Sequence, residues 1–260
     1  MLSQLSELDA LCSLLPEQGA TLSFEACRAA LSERVGSEVT KADLNRMIHT
    51  LTLEGRVEWI LEGRQLRLPV TGQQSSMPEH IRREQDIEPW FERYLWLNPQ
   101  FLFDPLPQGL MYVVQNTARV VGTQSGRWTR PDVCMATVTR YKYRPSAEFS
   151  LFTFELKMPS GTIAPSVFEA LSHTANGHHA YLVLYLPEDA PENARLAHVL
   201  DQAQRHGVGL IRIRDPKTPA TYERLLEARR YEPPPLSVDA FIDDRFDLAN
   251  RLALHRWVSA

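Results

Sequence analysis

The chain has 260 residues, of which 43% are hydrophobic and 23% charged, and its formal net charge is −4 at pH 7. These values are typical of a folded globular protein large enough for two domains, and they exclude disordered and fibrous chains. The negative net charge does not favour a nucleic-acid-binding protein, because phosphate contacts need lysine and arginine. Three widely spaced cysteines without a CxxC pair indicate neither a disulfide framework nor a zinc knuckle.

Targeting signals are absent from the pattern of the chain. The N-terminal segment MLSQLSELDALCSLL has acids where a secretory signal would have lysine or arginine. The longest apolar stretch, residues 180–186, is far shorter than the roughly 20 residues that cross a bilayer. We therefore expect a cytoplasmic protein that does not associate with membranes.

Residues 1–70 have the element order of a small winged helix-turn-helix domain. Apolar residues recur at helical spacing in three segments, and a pair of short strands then flanks Glu62-Gly63, which is a hairpin signal. Three helices followed by a hairpin is the order of a winged helix. The predicted helices cover residues 5–15, 23–35 and 40–55, with Thr40 as the N-cap of the third.

The third of these helices has a polar face that could enter a DNA groove. Lys41, Asn45 and His49 are spaced four residues apart and so share that face. The module nevertheless has ten acids and seven bases, and winged helices also serve as protein-contact or dimerisation modules. Contact with DNA and contact with protein therefore both stay open for residues 1–70.

After a polar linker at residues 71–78, the pattern changes to alternating helices and strands. This order predicts a mixed α/β sheet with helices on its faces for residues 79–214. Residues 215–260 are expected to form a helical extension around the Pro233–Pro235 break. The predicted helices are 79–98, 165–177 and 192–206, and the predicted strands are 111–121, 132–139, 149–157, 181–186 and 208–213.

Two adjacent predicted strands contain acids and a lysine at a distinctive spacing. Alternate side chains of a strand share one face, so Glu155 and Lys157 point the same way. A hairpin centred near Arg144 sets Asp132 opposite Leu156, within one residue. The carboxylates of Asp132 and Glu155 would then lie close enough to hold a hard cation such as Mg²⁺ or Mn²⁺. The alternative is a cross-strand ion pair between Glu155 and Lys157 without a metal.

Basic and aromatic residues surround this pattern. Between residues 119 and 144 the chain has six bases and one acid, Asp132. Trp128, Tyr141 and Tyr143 lie among these basic residues and could stack on nucleotides. A solvated arginine-rich loop would have the same composition. The predicted nucleic-acid contacts in this region are Arg127, Arg130, Arg140, Lys142 and Arg144.

The pattern Pro131-Asp132 followed by Glu155-Leu156-Lys157 resembles the PD-(D/E)xK signature of restriction-endonuclease-like nucleases. The predicted helix and strand order is similar to the αβββαβ core of that family over residues 79–213. The resemblance implies that Asp132 and Glu155 are metal ligands and that Lys157 is the catalytic lysine.

The family also supplies polar residues from two helices. A glutamate usually comes from the helix that precedes the sheet, and Glu84, Glu88 and Glu92 are the candidates. The helical projection places Glu84 nearest the apolar stripe, so we expect Glu84 to join the metal site. The alternative is that all three are solvated acids on the helix face. Many members have a glutamine on the helix after the lysine. This chain has none there, and His173 is expected to contact the scissile phosphate or a water.

The resemblance implies a Mg²⁺-dependent nuclease that cleaves DNA, in the manner of an endonuclease, with Mn²⁺ as a substitute metal. Defence against foreign DNA and DNA repair are both compatible settings. One alternative is a non-catalytic DNA-binding regulator built on a vestigial nuclease scaffold. Another is an RNA-cutting enzyme, because the metal chemistry does not depend on the sugar. A homodimer also stays open.

Overall fold

The computed structural model describes residues 22–41, 80–118, 130–144 and 146–259, together with residues 11, 14, 43–44, 47–48, 51, 58–60 and 65–67. The chain forms two compact units, Met1–Glu79 and His80–Ala260. Among the described residues, no helix combines the length and the apolar character needed to cross a membrane.

The first unit combines a helix with a small antiparallel sheet. Helix α1 (Phe24–Val35) begins at Ser23, whose side chain accepts a hydrogen bond from the Ala26 backbone, and ends at Gly36 in the left-handed conformation. This confirms the predicted helix over 23–35. The sheet has the order β1-β3-β2, with β1 at Leu22–Ser23, β2 at Glu58–Ile60 and β3 at Gln65–Arg67.

The pairing of β2 with β3 confirms the predicted hairpin, whose turn residues lie outside the described part. Thr40 Oγ1 accepts a hydrogen bond from the Asp43 backbone at 3.1 Å, as expected of an N-cap. The described positions between Lys41 and Leu51 are helical. Most of the predicted helix over 5–15, and the linker 71–78, lie outside the described residues.

The second unit is a mixed sheet covered by helices, as the sequence predicts, and the sheet has six strands where the sequence predicts five. Strands follow the order β4-β5-β6-β7-β8-β9. The β4-β5-β6 pairs are antiparallel, β6-β7-β8 are parallel, and β9 is antiparallel to β8. The strands are β4 (Leu110–Asn116), β5 (Val133–Thr139), β6 (Glu148–Lys157), β7 (His179–Tyr185), β8 (Gly209–Ile213) and β9 (Tyr222–Leu226). The helices are α2 (Glu84–Leu97), α3 (Ala164–Ser172), α4 (Leu196–His206), α5 (Pro235–Arg245) and α6 (Leu248–Ser259).

Helices bury both faces of the central strands, which explains why β5 and β6 are almost wholly buried. On one face, Phe91 of α2 packs in the same core as Phe152 and Phe154. On the other face, Leu151 packs with residues of α5 and α6. Further along that second face, Val167 of α3 packs in a core with residues of β7, β8 and α4. Glu155 and Lys157, near the end of β6, therefore lie between packed layers, whereas Glu148 at its start is 39% exposed.

The expected helical extension at 215–260 needs a correction. Strand β9 is the sixth strand of the sheet, and α5 and α6 belong to the core of this unit. Glu223 and Arg224 interrupt the apolar pattern that would predict this strand. Glu223 accepts a hydrogen bond from Arg212 of β8. The proline run also does not break structure at Pro235. That residue begins α5, where its missing N–H costs nothing.

Candidate active site

Asp132, the residue that precedes β5, is fixed to the neighbouring strand by two hydrogen bonds. Its backbone N–H donates to the Phe154 carbonyl at 3.0 Å. Its Oδ2 accepts the backbone N–H of Leu156 at 2.7 Å. Val133 pairs with Phe154, so the register places Asp132 against Glu155. The predicted hairpin is thus off by one residue, within the stated tolerance, and the two acids are close neighbours.

Lys157 is the last residue of β6, and carboxylates surround its ammonium group. Its Nζ lies 2.5 Å from Glu155 Oε1 and 3.1 Å from Glu169 Oε2. Glu84 Oε1 lies further away, at 4.0 Å. The Lys157 side chain is only 12% exposed, so water screens these contacts little. The structure therefore brings Asp132, Glu155 and Lys157 together, as the spacing of the motif predicts.

His173 lies in the short turn that follows α3 and is buried. Its Nε2 is 2.9 Å from Glu155 Oε2, so both oxygens of Glu155 have a partner. The expectation that His173 contacts the scissile phosphate does not fit this position, because the ring is turned to Glu155 and is only 3% exposed. His173 belongs to the site through Glu155.

The three candidate glutamates of α2 are placed differently from the helical projection. Glu88 is the buried one, and its Oε2 accepts a hydrogen bond from Asn116 Nδ2 at 2.9 Å. Glu92 Oε1 accepts the Asn116 backbone N–H at 2.9 Å. Glu84 is the first residue of the helix and its side chain is 42% exposed. The projection was wrong about which acid is most buried, but Glu84 is the one that approaches Lys157.

Burial and mutual repulsion perturb the two acids of the motif. Burial raises the pKa of Asp132 well above its ordinary value, the negative charge of Glu155 adds to the shift, and the hydrogen bond from Leu156 opposes it. Burial also raises the pKa of Glu155 to about 7, although Lys157 lowers it. Two neighbouring carboxylates with raised pKa values are a feature of functional sites, because structure alone rarely favours such a pair.

The two basic groups respond in opposite directions. Burial lowers the pKa of Lys157, but the neighbouring charges of Glu155, Glu84 and Glu169 outweigh burial and raise the pKa above its ordinary value. Burial lowers the pKa of His173 to about 4, so its imidazole is neutral at neutral pH. One ammonium group thus faces an excess of carboxylates.

The donor set fits a magnesium-type cation better than a zinc site. Among the described residues, no group of three or more His, Cys, Asp and Glu side chains is arranged to hold a metal ion. A closed zinc site needs such a group. Mg²⁺ instead keeps several waters and takes one or two carboxylates from the protein, which Asp132 and Glu155 could supply. The excess of buried negative charge also favours a bound cation.

The predicted nucleic-acid contacts are dispersed. Lys41 forms an exposed ion pair with Glu25 at 3.0 Å. Arg130 is exposed and is separated from Asp132 by a single residue. Three of the other predicted contacts lie outside the described residues. They are Asn45, His49 and Arg127.

Arg140, Lys142 and Arg144 lie at the far end of the β5–β6 hairpin from Asp132. Strand β5 has seven residues, so at roughly 3.3 Å per residue the tip is about 23 Å from the acids. Tyr143 is 87% exposed at this tip, with Lys142 Nζ 5.1 Å from its ring centre. Arg140 donates to the Trp257 carbonyl. The tip is too far from the acids to contact the same phosphate group. It forms a separate basic surface.

Sequence reasoning missed Glu169. It lies on α3, and its side chain is 28% exposed. A helical spacing of four residues between Glu169 and His173 places both on one face. That spacing, on a helix that directly follows the lysine strand, was the available signal.

No protein-family model matches the chain, and no curated protein matches it either. Among solved structures, the chain is similar to the restriction endonuclease FokI, with 11% identity and a TM-score of 0.23 over 80% of this chain and 41% of that chain. The chain therefore spans less than half of the length of that protein. A TM-score of this size does not show a common fold, so the function proposed below rests on the geometry of the site.

The pKa of Glu155 predicts a pH dependence of stability in the absence of a divalent cation. Its pKa is about 7 in the folded protein against 4.5 ordinarily, so the folded chain holds a proton that the unfolded chain releases. The free energy of unfolding therefore falls as the pH rises through this window, on the order of 3 kcal/mol from this group. Glu155→Gln has no carboxyl group to titrate at this position, so it lacks this pH-dependent loss of stability. The unfolding free energy of the variant minus that of the wild type should therefore rise with pH.

Urea unfolding with a chelator, at intervals from pH 4.5 to about 7, measures this difference. Glu227→Gln, at an exposed glutamate, is the matched control and should show a constant difference. A constant difference for Glu155→Gln as well would contradict the burial of an acid with a raised pKa.

Proposed function

We propose that this chain is a metal-dependent nuclease that hydrolyses phosphodiester bonds in DNA. The observation that carries the proposal is the meeting of half-buried Asp132 and buried Glu155 with Lys157 at one end of a mixed sheet. This set of groups agrees with the resemblance of the motif to restriction-endonuclease-like nucleases, and the element order from α2 to β7 agrees with their αβββαβ core.

In this proposal, Asp132 and Glu155 hold Mg²⁺, for which Mn²⁺ can substitute. The bound ion would lower the pKa of a water and offset charge on the phosphate. Asp132 is held for this task by the Leu156 backbone, which occupies Oδ2 and so fixes the carboxylate against β6. Glu84, at the start of α2, is the third acid that could reach the ion or its waters.

Lys157 acts as a charged group rather than as a base. Its pKa is raised by the surrounding carboxylates, so the ammonium keeps its proton at neutral pH. An ammonium group near the reacting phosphate orients the attacking water by hydrogen bonding and stabilises the charge that develops in the transition state. Removal of the water's proton is then left to another acceptor, and the nearby acids are available for it.

DNA is the proposed substrate because exposed arginine side chains flank the acidic site. Arg82 and Arg83 precede Glu84, and Arg130 precedes Asp132. Such residues could contact phosphates on either side of the scissile bond. For the first unit we propose a winged helix, in which Lys41, Asn45 and His49 would face DNA. The three-stranded sheet with β3 at its centre supports that arrangement.

Loss of the lysine charge should abolish cleavage. Lys157→Ala should reduce the nicking of supercoiled plasmid in Mg²⁺ by at least about 100-fold, because it removes a preorganised charge from the transition state. A gel assay of nicked and linear products measures the rate, and EDTA should stop the wild-type reaction. Lys217→Ala, at an exposed lysine in the turn before β9, is the matched control and should cleave like the wild type.

Activity that survives chelation would contradict the role of the metal. Wild-type turnover by Lys157→Ala would remove the lysine from the mechanism. A chain that cleaves nothing in Mg²⁺ or Mn²⁺ on plasmid, linear, single-stranded or RNA substrates would contradict the proposed function as a whole.

The position of the hairpin tip predicts a dependence on substrate length. The tip lies about 23 Å from the acids, which is about seven base pairs at roughly 3.4 Å per pair. The double change Lys142→Ala and Arg144→Ala should weaken binding of long duplexes several-fold and flatten the salt dependence, because it removes phosphate contacts. Duplexes with fewer than about seven pairs on each side of the cleavage point should bind both proteins equally.

Fluorescence anisotropy titrations over a series of salt concentrations measure both effects. Arg195→Ala, at an exposed arginine of the same unit, serves as the control. If short and long duplexes lose affinity to the same degree, the tip does not contact DNA at the distance that the fold sets.

A further inference from the structure

We propose that helix α3 and the turn after it are the positioning element of the active site, in which Glu169 sets the place of the Lys157 ammonium and His173 sets the orientation of Glu155. This inference rests on the proposed function and deepens it. It assigns a role to Glu169, which the motif does not include, and it gives His173 a role different from phosphate contact.

The segment from Gly161 to Gly177 lies over one row of β6 side chains. The row consists of Thr153, Glu155 and Lys157, which alternate with apolar residues and so share a face. Glu169 contacts Lys157 and His173 contacts Glu155. Each polar member of the row is therefore met by a residue of this segment.

Glycines allow the close approach at both ends of the segment. A Cβ at Gly161 would lie 2.7 Å from Lys157 Cβ and 3.1 Å from its Cγ, so the backbone there touches the lysine stem. A Cβ at Gly177 would lie 2.7 Å from Thr153 Cγ2. These distances are too short for any other residue. The segment thus confines the stem of Lys157 sterically, while Glu169 holds its head.

Helix α3 is itself anchored, so it can transmit a fixed geometry. Val167 and Ala170 are fully buried and pack in the same core as Leu182 and Leu184 of β7. Ser166 Oγ donates to the Gly161 carbonyl at 2.8 Å, which ties the first turn of the helix to the preceding turn. A rotation of α3 would have to disturb this core.

The direction of the hydrogen bond between His173 and Glu155 depends on the charge of Glu155. Glu155 Oε2 accepts in its ionised form, so the imidazole donates from Nε2. Nδ1 then has no proton, and in the described part of the chain this buried atom has no hydrogen-bond partner. A buried unsatisfied atom lowers stability. Among the described residues, the hydrogen bond of the His173 ring is therefore the one to Glu155.

The experiment compares three variants with their controls in the full chain. His173→Leu removes the donor, and His173→Gln returns an amide donor. Glu169→Gln keeps the shape of the side chain and removes its charge. His198→Leu and Glu227→Gln, at an exposed histidine and an exposed glutamate, are the matched controls. The readouts are kcat and KM on a labelled duplex, Mn²⁺ affinity by isothermal titration calorimetry, and urea unfolding.

Mutation of a residue that contacts a metal ligand typically lowers metal affinity or activity by about 10–100-fold. We expect His173→Leu to lower kcat and Mn²⁺ affinity within this range at unchanged KM, with partial rescue in His173→Gln. Glu169→Gln should lower kcat and leave Mn²⁺ affinity unchanged, because it acts on Lys157. If His173→Leu does not fold, Glu169→Gln decides the matter, since Glu169 is 28% exposed.

The proposal is overturned if folded His173→Leu and Glu169→Gln keep wild-type kcat and Mn²⁺ affinity, even when urea unfolding shows lower stability. It is also overturned if Glu169→Gln weakens Mn²⁺ binding as strongly as Asp132→Asn, because Glu169 would then be a ligand. If the wild type binds Mn²⁺ without cleaving DNA, only the proposed function fails, and weaker Mn²⁺ binding by His173→Leu still supports the inference. A wild type that neither cleaves DNA nor binds Mn²⁺ overturns both.

Discussion

Two neighbouring carboxylic acids at the end of a sheet, half-buried Asp132 and buried Glu155, are the constraint around which the second unit is organised. Asp132 and Glu155 repel each other, and burial makes each of them harder to ionise. The nearby ammonium of Lys157 offsets part of this charge and is itself shared with Glu169 and Glu84. The protein keeps this costly arrangement where apolar residues would give a more stable fold. The divalent cation that we propose would account for it directly.

The fold supports the site from both faces of the sheet. Helix α2 covers one face and brings Glu84 to the edge where β6 ends, while α3 covers the other face and brings Glu169 and His173. Lys157 is the last residue of β6, so it is the position that side chains from both layers can reach. Asp132 is fixed by backbone hydrogen bonds with β6, Glu155 by the side chains of Lys157 and His173, and the further carboxylates of Glu84 and Glu169 come from helices. In the proposed nuclease, such an arrangement would hold the reacting groups in place before substrate binds.

The central site could be predicted from the sequence because its rules are local. Alternation along one strand puts Glu155 and Lys157 on one face, and a hairpin brings Asp132 beside them. The register was off by one residue because the turn geometry is not encoded in strand periodicity. The order of burial of Glu84 and Glu88 depends on where α2 begins relative to the sheet edge, which a helical projection omits. Glu169 was missed because an acid on a half-exposed helix resembles a solvated surface residue. Strand β9 was missed because Glu223 and Arg224 interrupt its apolar pattern, with Glu223 bonded to Arg212 of β8 and Arg224 to the Leu102 carbonyl.

The most direct test of this account is the anomalous difference map of a crystal of the wild-type protein soaked in Mn²⁺. The account predicts a peak in contact with carboxylate oxygens of both Asp132 and Glu155, with Lys157 beside it. A map with no peak at these two acids at saturating Mn²⁺, or with the ion bound only elsewhere on the protein, would contradict the claim that their burial serves a metal ion.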